Sequence, residues 1–282
     1  MDELVAKRIL FDLEVILLIA LVIGIVIHGF LGSFRKEPTP GIGAKFGKAD
    51  LLLIWFPLIF FLINPILSYF LPDMGSATPE VPKDAGRQLV EGLNQFVSFA
   101  FIGVITVILI QLVTLRDAVE MLGLRQSRLP VIVAYGLAGT VVSLFVCNQY
   151  LGNLSSEFLR EKLGNLDIQR PVEEMKNAKA IPVVLLSVIN AVIIAPIVEE
   201  TLFRGYFYGV MKRFSSPLFS ALITGGLFAV VHSNLLALLP LWVFAIILTL
   251  SYEMSRCLWV PILIHSLFNG VNVAFLFLSK GE

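Results

Sequence analysis

"NAVIIAPIVEETLFRGYFYG", residues 190–209, is the stretch on which the reading of this chain turns. Residues 190–198 carry no charge, Glu199, Glu200 and Arg204 then arrive together, and the apolar pattern resumes. The wider run 182–212 otherwise reads as a helix surrounded by lipid. An ionisable side chain at mid-bilayer costs about 2.5–3.5 kcal/mol on insertion scales, so three of them in such a run mark a functional site by default.

The rest of the chain supports a membrane setting. It has 282 residues, of which 57% are hydrophobic and only 15% charged, with a mean hydropathy of +0.87. A soluble domain of this length needs a charged shell that this composition cannot supply. Apolar runs recur at about the 20-residue length that crosses a hydrocarbon core. Eight candidate spans fall at 12–31, 51–71, 95–115, 130–151, 182–212, 216–234, 236–254 and 258–279. The expected fold class is therefore all-α, a polytopic membrane protein with about eight transmembrane helices. The first run, "VILLIALVIGIVIHGFLG", lacks a small-residue cleavage site and is long for a signal peptide, so it reads as a retained span. A net charge of zero argues against a nucleic-acid partner. Cys147 and Cys257 sit in or beside apolar runs and suggest neither a disulfide framework nor a thiolate metal site.

Two parts are expected: an N-terminal membrane region of three spans and loops, 1–129, and a core, 130–282, whose motif-bearing part is 182–279. The connectors "RKEPTPGIGAKFGKAD" and "LPDMGSATPEVPKDAG" are rich in Pro and Gly and read as loops. "LRDAVEMLGLRQSRLP" reads as a short amphipathic helix at the interface. In the long polar segment 152–181, Leu154, Phe158, Leu159 and Leu163 fall on one helical face, which suits a helix lying along the membrane surface. It is either a plain connector or a gate beside the site.

Three polar clusters interrupt the last four spans. In "EETLFR", Glu200 and Arg204 are spaced i,i+4 and can pair, whereas Glu199 is turned about 100° away and lacks that partner. "FAVVHS" sets Phe228 and His232 at the same spacing, and "HSLFNG" does so for His265 and Asn269. At about 1.5 Å per residue, counting from the span ends brings the clusters to one level within a turn or two, nearer the face carrying 152–181. A carboxylate, two imidazoles and an amide converging at one depth make a hydrolytic set. The carboxylate and a histidine can deprotonate or bind a water, while His265 and Asn269 can donate to an oxyanion. Each cluster alone has a bland reading, since a Glu–Arg pair can lock helices and a lone histidine can satisfy a carbonyl. His28 reads as an interfacial or helix-contact residue, and Gly205 and Gly209 as a close helix contact.

At these residues the sequence resembles the type II CAAX prenyl endopeptidase family, also called the CPBP intramembrane protease family. The family pattern Glu-Glu-x-x-x-Arg, Phe-x-x-x-His and His-x-x-x-Asn is matched here, in order, by "EETLFR", "FAVVH" and "HSLFN". "LGLR" at 122–125 also resembles a stretch seen ahead of this domain in relatives. The resemblance implies that Glu199 acts with His232 to activate a water, that Glu200 pairs with Arg204 to orient the site, and that His265 and Asn269 stabilise the oxyanion. It leaves the cofactor open: Glu199, His232 and His265 could ligate Zn²⁺, yet the His-Glu-x-x-His helix of common zinc proteases is missing.

The expected function is an intramembrane endopeptidase acting on C-terminal peptides of prenylated CAAX-type or related membrane-associated substrates. The partners expected are a lipidated or membrane-associated peptide or protein and the membrane lipids. Two other classes stay open: a proton-coupled transporter, which should show inverted repeats or broken helices, and a non-catalytic bacteriocin-immunity membrane protein. The protein is expected to be a multi-pass integral membrane protein, of the plasma or inner membrane in a prokaryote. Its loop Lys and Arg residues divide evenly between the two faces, so the positive-inside rule does not orient it. The resemblance implies a site opening to the cytoplasmic side, where prenylated proteins are made.

Overall fold

The computed structural model describes residues 3–33, 41–61, 85–114, 117–125, 129–163, 175 and 180–279. Regular structure among them is helical throughout. The elements are α1 (Glu3–Gly32), a 3-10 turn (Gly41–Lys45), α2 (Lys48–Leu53), α3 (Ala85–Thr114), α4 (Ala118–Met121), α5 (Leu129–Ser143), α6 (Asn153–Leu163), α7 (Ile181–Ile189), α8 (Ala195–Glu200), α9 (Gly209–Phe214), α10 (Pro217–Val230), α11 (Leu235–Ser255) and α12 (Trp259–Leu278). Three π-helical stretches, Leu144–Gly152, Asn190–Ile194 and Thr201–Tyr208, join α5 to α6, α7 to α8 and α8 to α9. The chain is thus helical without a break from Ile181 to Phe214.

The fold is the polytopic all-α membrane architecture that the composition requires. Among the described residues, six helices are long and apolar enough to cross a bilayer by length and composition: Asp12–Gly32, Gly86–Leu112, Leu129–Phe158, Ile181–Phe214, Leu235–Ser255 and Trp259–Leu278. The count differs from eight for two reasons. The span expected at 216–234 is the 14-residue helix α10, about 21 Å long and short of a core roughly 30 Å thick. The span expected at 51–71 lies outside the described residues beyond position 61. The Pro-rich connector up to position 84 and most of 164–179 also lie outside them.

Local chemistry sets the helix ends. Ser216 caps α10, its hydroxyl accepting from the Phe219 amide, and Pro217 occupies the first turn, where no amide hydrogen is needed. Asn234 caps α11, its Oδ1 accepting from the Ala237 amide at 3.0 Å. Between these helices Ser233 adopts φ 48°, a left-handed conformation that turns the chain.

Lipid replaces water outside, so the faces sort by contact rather than polarity. On α1, Ile16, Ile19, Ile23, Ile27 and Phe30 are exposed, while Leu18, Leu21 and Ile25 are buried against α9 and α10. His28 stacks on Phe219 with ring centroids 3.6 Å apart, a helix-contact histidine. The small residues earn close approaches elsewhere. A Cβ on Gly209 would meet the Phe46 ring at 2.2 Å, and one on Gly205 would meet Leu122 at 2.8 Å. Their contact is with short segments from the N-terminal part, not with a second long helix.

One end of the bundle is tied shut by its loops. Lys45 Nζ donates to the Glu120 carbonyl at 3.0 Å, and Arg213 Nε donates to the Phe46 carbonyl at 3.2 Å. The 122–125 segment docks between α11 and α12: Tyr252 OH donates to the Leu122 carbonyl, the Leu258 amide to Gly123, and Trp259 Nε1 to Leu124. Over its described part the segment 115–130 is two-faced, with Ala118, Met121 and Leu122 buried and Val119, Glu120 and Arg125 exposed. At the other end α6 continues α5 through the π-helical stretch, within the Leu129–Phe158 span. It presents Leu154 and Phe158 outward and turns Ser155 inward, where Ser155 Oγ donates to the Leu236 carbonyl at 2.8 Å.

Candidate active site

Glu199 and Glu200 close the six-residue helix α8, with π-helical turns on both sides. Such turns widen the helix locally and recur at functional sites, because they displace side chains from their ordinary register. Both glutamates are buried, Glu200 completely. Arg204, one turn on, is 1% exposed.

Glu200 is the structural glutamate of the pair. Its Oε1 accepts from Arg204 Nη1 at 2.8 Å and also from His265 Nδ1 at 2.8 Å. The guanidinium is further held over the Phe228 ring, 4.4 Å from its centroid, a contact that favours a desolvated cation. Glu199 faces the other way. Its Oε2 lies 4.0 Å from His232 Nε2 and 3.9 Å from His265 Nε2, too far for a direct hydrogen bond. It is a buried carboxylate oxygen with no hydrogen-bond partner.

The tautomers follow from what each ring touches. His232 sits two residues beyond the end of α10, in the turn, and not on a membrane span as its motif suggested. Its Nδ1 is 2.7 Å from the Phe228 carbonyl oxygen, which can only accept, so Nδ1 carries a proton. His265 Nδ1 likewise donates to the Glu200 carboxylate. Both Nε2 atoms are left facing Glu199. In neutral rings these two nitrogens are acceptors, so a water between them and Glu199 would find hydrogen-bond acceptors on three sides.

Phe228 forms the shared wall. Its ring centroid is 4.6 Å from that of His232, 5.9 Å from that of His265 and 5.1 Å from that of Phe203. Phe244 of α11 closes the far side of His265 at 5.3 Å, edge to face. No motif pointed to Phe244, whose spacing in α11 is that of any core residue.

The structure thus brings Glu199, Glu200, Arg204, His232 and His265 together. Asn269 shares the α12 face of His265, but its Nδ2 donates to the Ala191 carbonyl in the π-helical stretch at 2.8 Å. One of its two amide hydrogens is therefore committed, and the second remains to serve another acceptor.

The donor set Glu199, His232 and His265 has the right chemistry for zinc, with Glu200 as the carboxylate partner behind His265. Its spacing is too wide. Bonds of about 2.0 Å put two tetrahedral ligands about 3.3 Å apart, against 4.0 and 3.9 Å here. Among the described residues no group of three or more His, Cys, Asp or Glu side chains is placed to hold a metal ion. The side chains as they stand do not fit the ion. Cys147 and Cys257 are buried free thiols.

Residues 181–271 match the family model described as "Rce1-like: Type II CAAX prenyl endopeptidase Rce1-like". Over 195 residues the chain is 27% identical to the protein described as "Putative membrane peptidase YdiL" from Bacillus subtilis (strain 168), covering 67% of this chain and 73% of that one. Over 92 residues it is 39% identical to an "Uncharacterized 24.3 kDa protein" from Escherichia coli, covering 31% of this chain and 42% of that relative. No solved structure matches the chain.

Proposed function

We propose, because residues 181–271 match the Rce1-like, type II CAAX prenyl endopeptidase family model, that the protein is an intramembrane endopeptidase that hydrolyses a peptide bond with a water activated by Glu199. The carrying observation is the convergence of His232 Nε2 and His265 Nε2 on one unpartnered, buried oxygen of Glu199. The relative described as a membrane peptidase supports the same class.

The water donates one hydrogen to Glu199 Oε2 and the other to His232 Nε2. Its lone pair is then aimed away from both, at the substrate carbonyl carbon. As the C–O bond forms, Glu199 takes the first proton, and the carbonyl oxygen becomes an oxyanion. The second Asn269 N–H and a protonated His265 Nε2 are the donors for that oxyanion. His265 serves in this way only when its ring is doubly protonated, since Glu200 already occupies Nδ1. Collapse breaks the C–N bond, and the proton held by Glu199 passes to the leaving amine. The products are a carboxylic acid, whose hydroxyl still carries the water's second proton, and an amine.

The substrate proposed is a lipidated, C-terminal CAAX-type peptide or a related membrane-associated peptide. The buried site suits a substrate whose chain reaches it from within the membrane. The site opens toward the face carrying 152–181, because the loops 41–46, 117–125 and 255–259 close the other end. We assign that open face to the cytoplasm.

The test is cleavage of a farnesylated CAAX peptide by the purified protein in proteoliposomes, read by mass spectrometry. Wild-type protein should release the tripeptide, and Glu199→Ala and His232→Ala should each lose about 10²- to 10⁴-fold. Wild-type turnover in a Glu199→Ala preparation would sink the assignment.

A further inference from the structure

A second polar feature lies beside the site and belongs to none of its motifs. Asn148, in the π-helical stretch that ends α5, donates through Nδ2 to Asn272 Oδ1 on α12 at 2.6 Å. Counting along α12, His265, Asn269 and Asn272 are spaced i, i+4 and i+7 and share one face. The stripe runs from the level of Glu199 toward the open end of the bundle. Both Asn148 and Asn272 are half-buried, and both lie in helices long and apolar enough to cross a membrane.

The bond between them uses only part of what two amides offer. Asn148 keeps its Oδ1 acceptor, and Asn272 keeps its Nδ2 donor. Both residues are part-exposed, and neither atom is among the fully buried, unpartnered side-chain atoms of the described residues. A pair that only locked two helices would gain from sealing these groups, because a polar atom left open to hydrocarbon is costly. One remaining acceptor beside one remaining donor matches the N–H and C=O of a peptide main chain. Neither residue is charged, so the pair discriminates by backbone and not by side-chain charge.

We propose that Asn148 and Asn272 form a main-chain subsite that grips an extended peptide substrate about three residues from the bond being cut. The inference rests on the endopeptidase reading above. The register comes from geometry: seven residues of helix separate Asn272 from His265, a rise of about 10.5 Å. An extended peptide covers that distance in about three residues at about 3.3–3.6 Å each.

The probe is a fluorescein-labelled, farnesylated nonapeptide ending in Cys-Val-Ile-Met, with each main-chain amide replaced in turn by an ester. Binding is measured by anisotropy to Glu199→Gln protein in nanodiscs, so that turnover does not interfere. An ester about three residues from the scissile bond should weaken binding roughly fivefold, the scale of one lost hydrogen bond. The same ester should cost nothing in the Asn148→Leu/Asn272→Leu protein, which removes both partners and leaves no orphaned amide. A flat ester scan overturns the proposal, and so does a penalty that persists in the double variant. If the double variant does not fold, the scan on protein with the pair intact decides alone: a penalty at the third residue upholds the subsite and its absence overturns it. A peptide that fails to bind at all also overturns it. A peptide that binds with this pattern but is never hydrolysed by wild-type protein leaves the subsite standing and removes the endopeptidase reading.

Discussion

Glu200 Oε1 accepts hydrogen bonds from Arg204 Nη1 and from His265 Nδ1 at the same distance, 2.8 Å. One oxygen therefore joins α8, the π-helical turn after it and α12. It also sets the tautomer of His265, so the group that holds the helices together also aims Nε2 at Glu199. The stability and the chemistry of this site share one atom.

Removing Arg204 should harm the fold more than removing His265. Arg204→Ala leaves Glu200 as a buried carboxylate without its cation, and breaking such a pair costs about 3–5 kcal/mol. His265→Ala removes one donor and keeps the pair. In dodecyl maltoside, Arg204→Ala should melt well below His265→Ala, with little folded protein recovered. An Arg204→Ala protein that melts like wild type would mean that the pair carries no stability.

The turn that carries His232 predicts a split between two substitutions at its neighbour. Ser233 holds φ 48°, where a side chain is strained by about 1–3 kcal/mol and a β-branched one more so. Ser233→Gly should keep or raise stability and preserve activity. Ser233→Val should shift the turn and lower turnover at least tenfold, while far-ultraviolet circular dichroism stays helical. Equal activity of the two variants would show that the His232 position does not depend on this turn.

The spacing of ligands predicts the response to chelation. Glu199, His232 and His265 would have to close by about 0.6 Å to reach tetrahedral zinc distances from the separations of 4.0 and 3.9 Å observed. Turnover should therefore survive dialysis against 1,10-phenanthroline. Activity lost on chelation and restored by stoichiometric zinc would show that the three side chains contract around an ion.

How much of this could be read from residues alone depended on the range of the interaction. The Glu200–Arg204 bond follows from i,i+4 spacing, which survives even the π-helical turn between them. The separation of roles between Glu199 and Glu200 follows from their different faces. What spacing could not supply was contact across the bundle. Asn148 and Asn272 are 124 positions apart, and Leu122 meets Tyr252 across 130. Hydropathy also drew the span at 216–234 too long, because it registers apolar residues without seeing that the helix ends at Val230. The i,i+4,i+7 stripe of His265, Asn269 and Asn272 was open to reading, since it needs only helical periodicity.

Orientation is the last expected outcome, and it rests on the proposed substrate rather than on charge. Lys and Arg residues divide evenly between the faces, so the positive-inside rule is silent. On the closed face, however, Lys45 is bound to the Glu120 carbonyl, Arg125 to Asp117, Lys212 to Glu253 and Arg213 to the Phe46 carbonyl. These four cations have a structural reason to be where they are, whichever way the bundle faces. On the other face Arg87 likewise pairs with Glu91, so bonded cations do not orient the bundle, and the cytoplasmic assignment of the face carrying Glu157 is left to labelling. Ser155 is a poor reporter, because it is buried and bonded to Leu236, whereas Glu157 and Lys48 are exposed on opposite faces. In intact cells an impermeant maleimide should label Lys48→Cys and spare Glu157→Cys, and in inverted vesicles the pattern should reverse. Labelling of Glu157→Cys from outside would turn the open face away from the cytoplasm and remove prenylated cytoplasmic proteins as substrates.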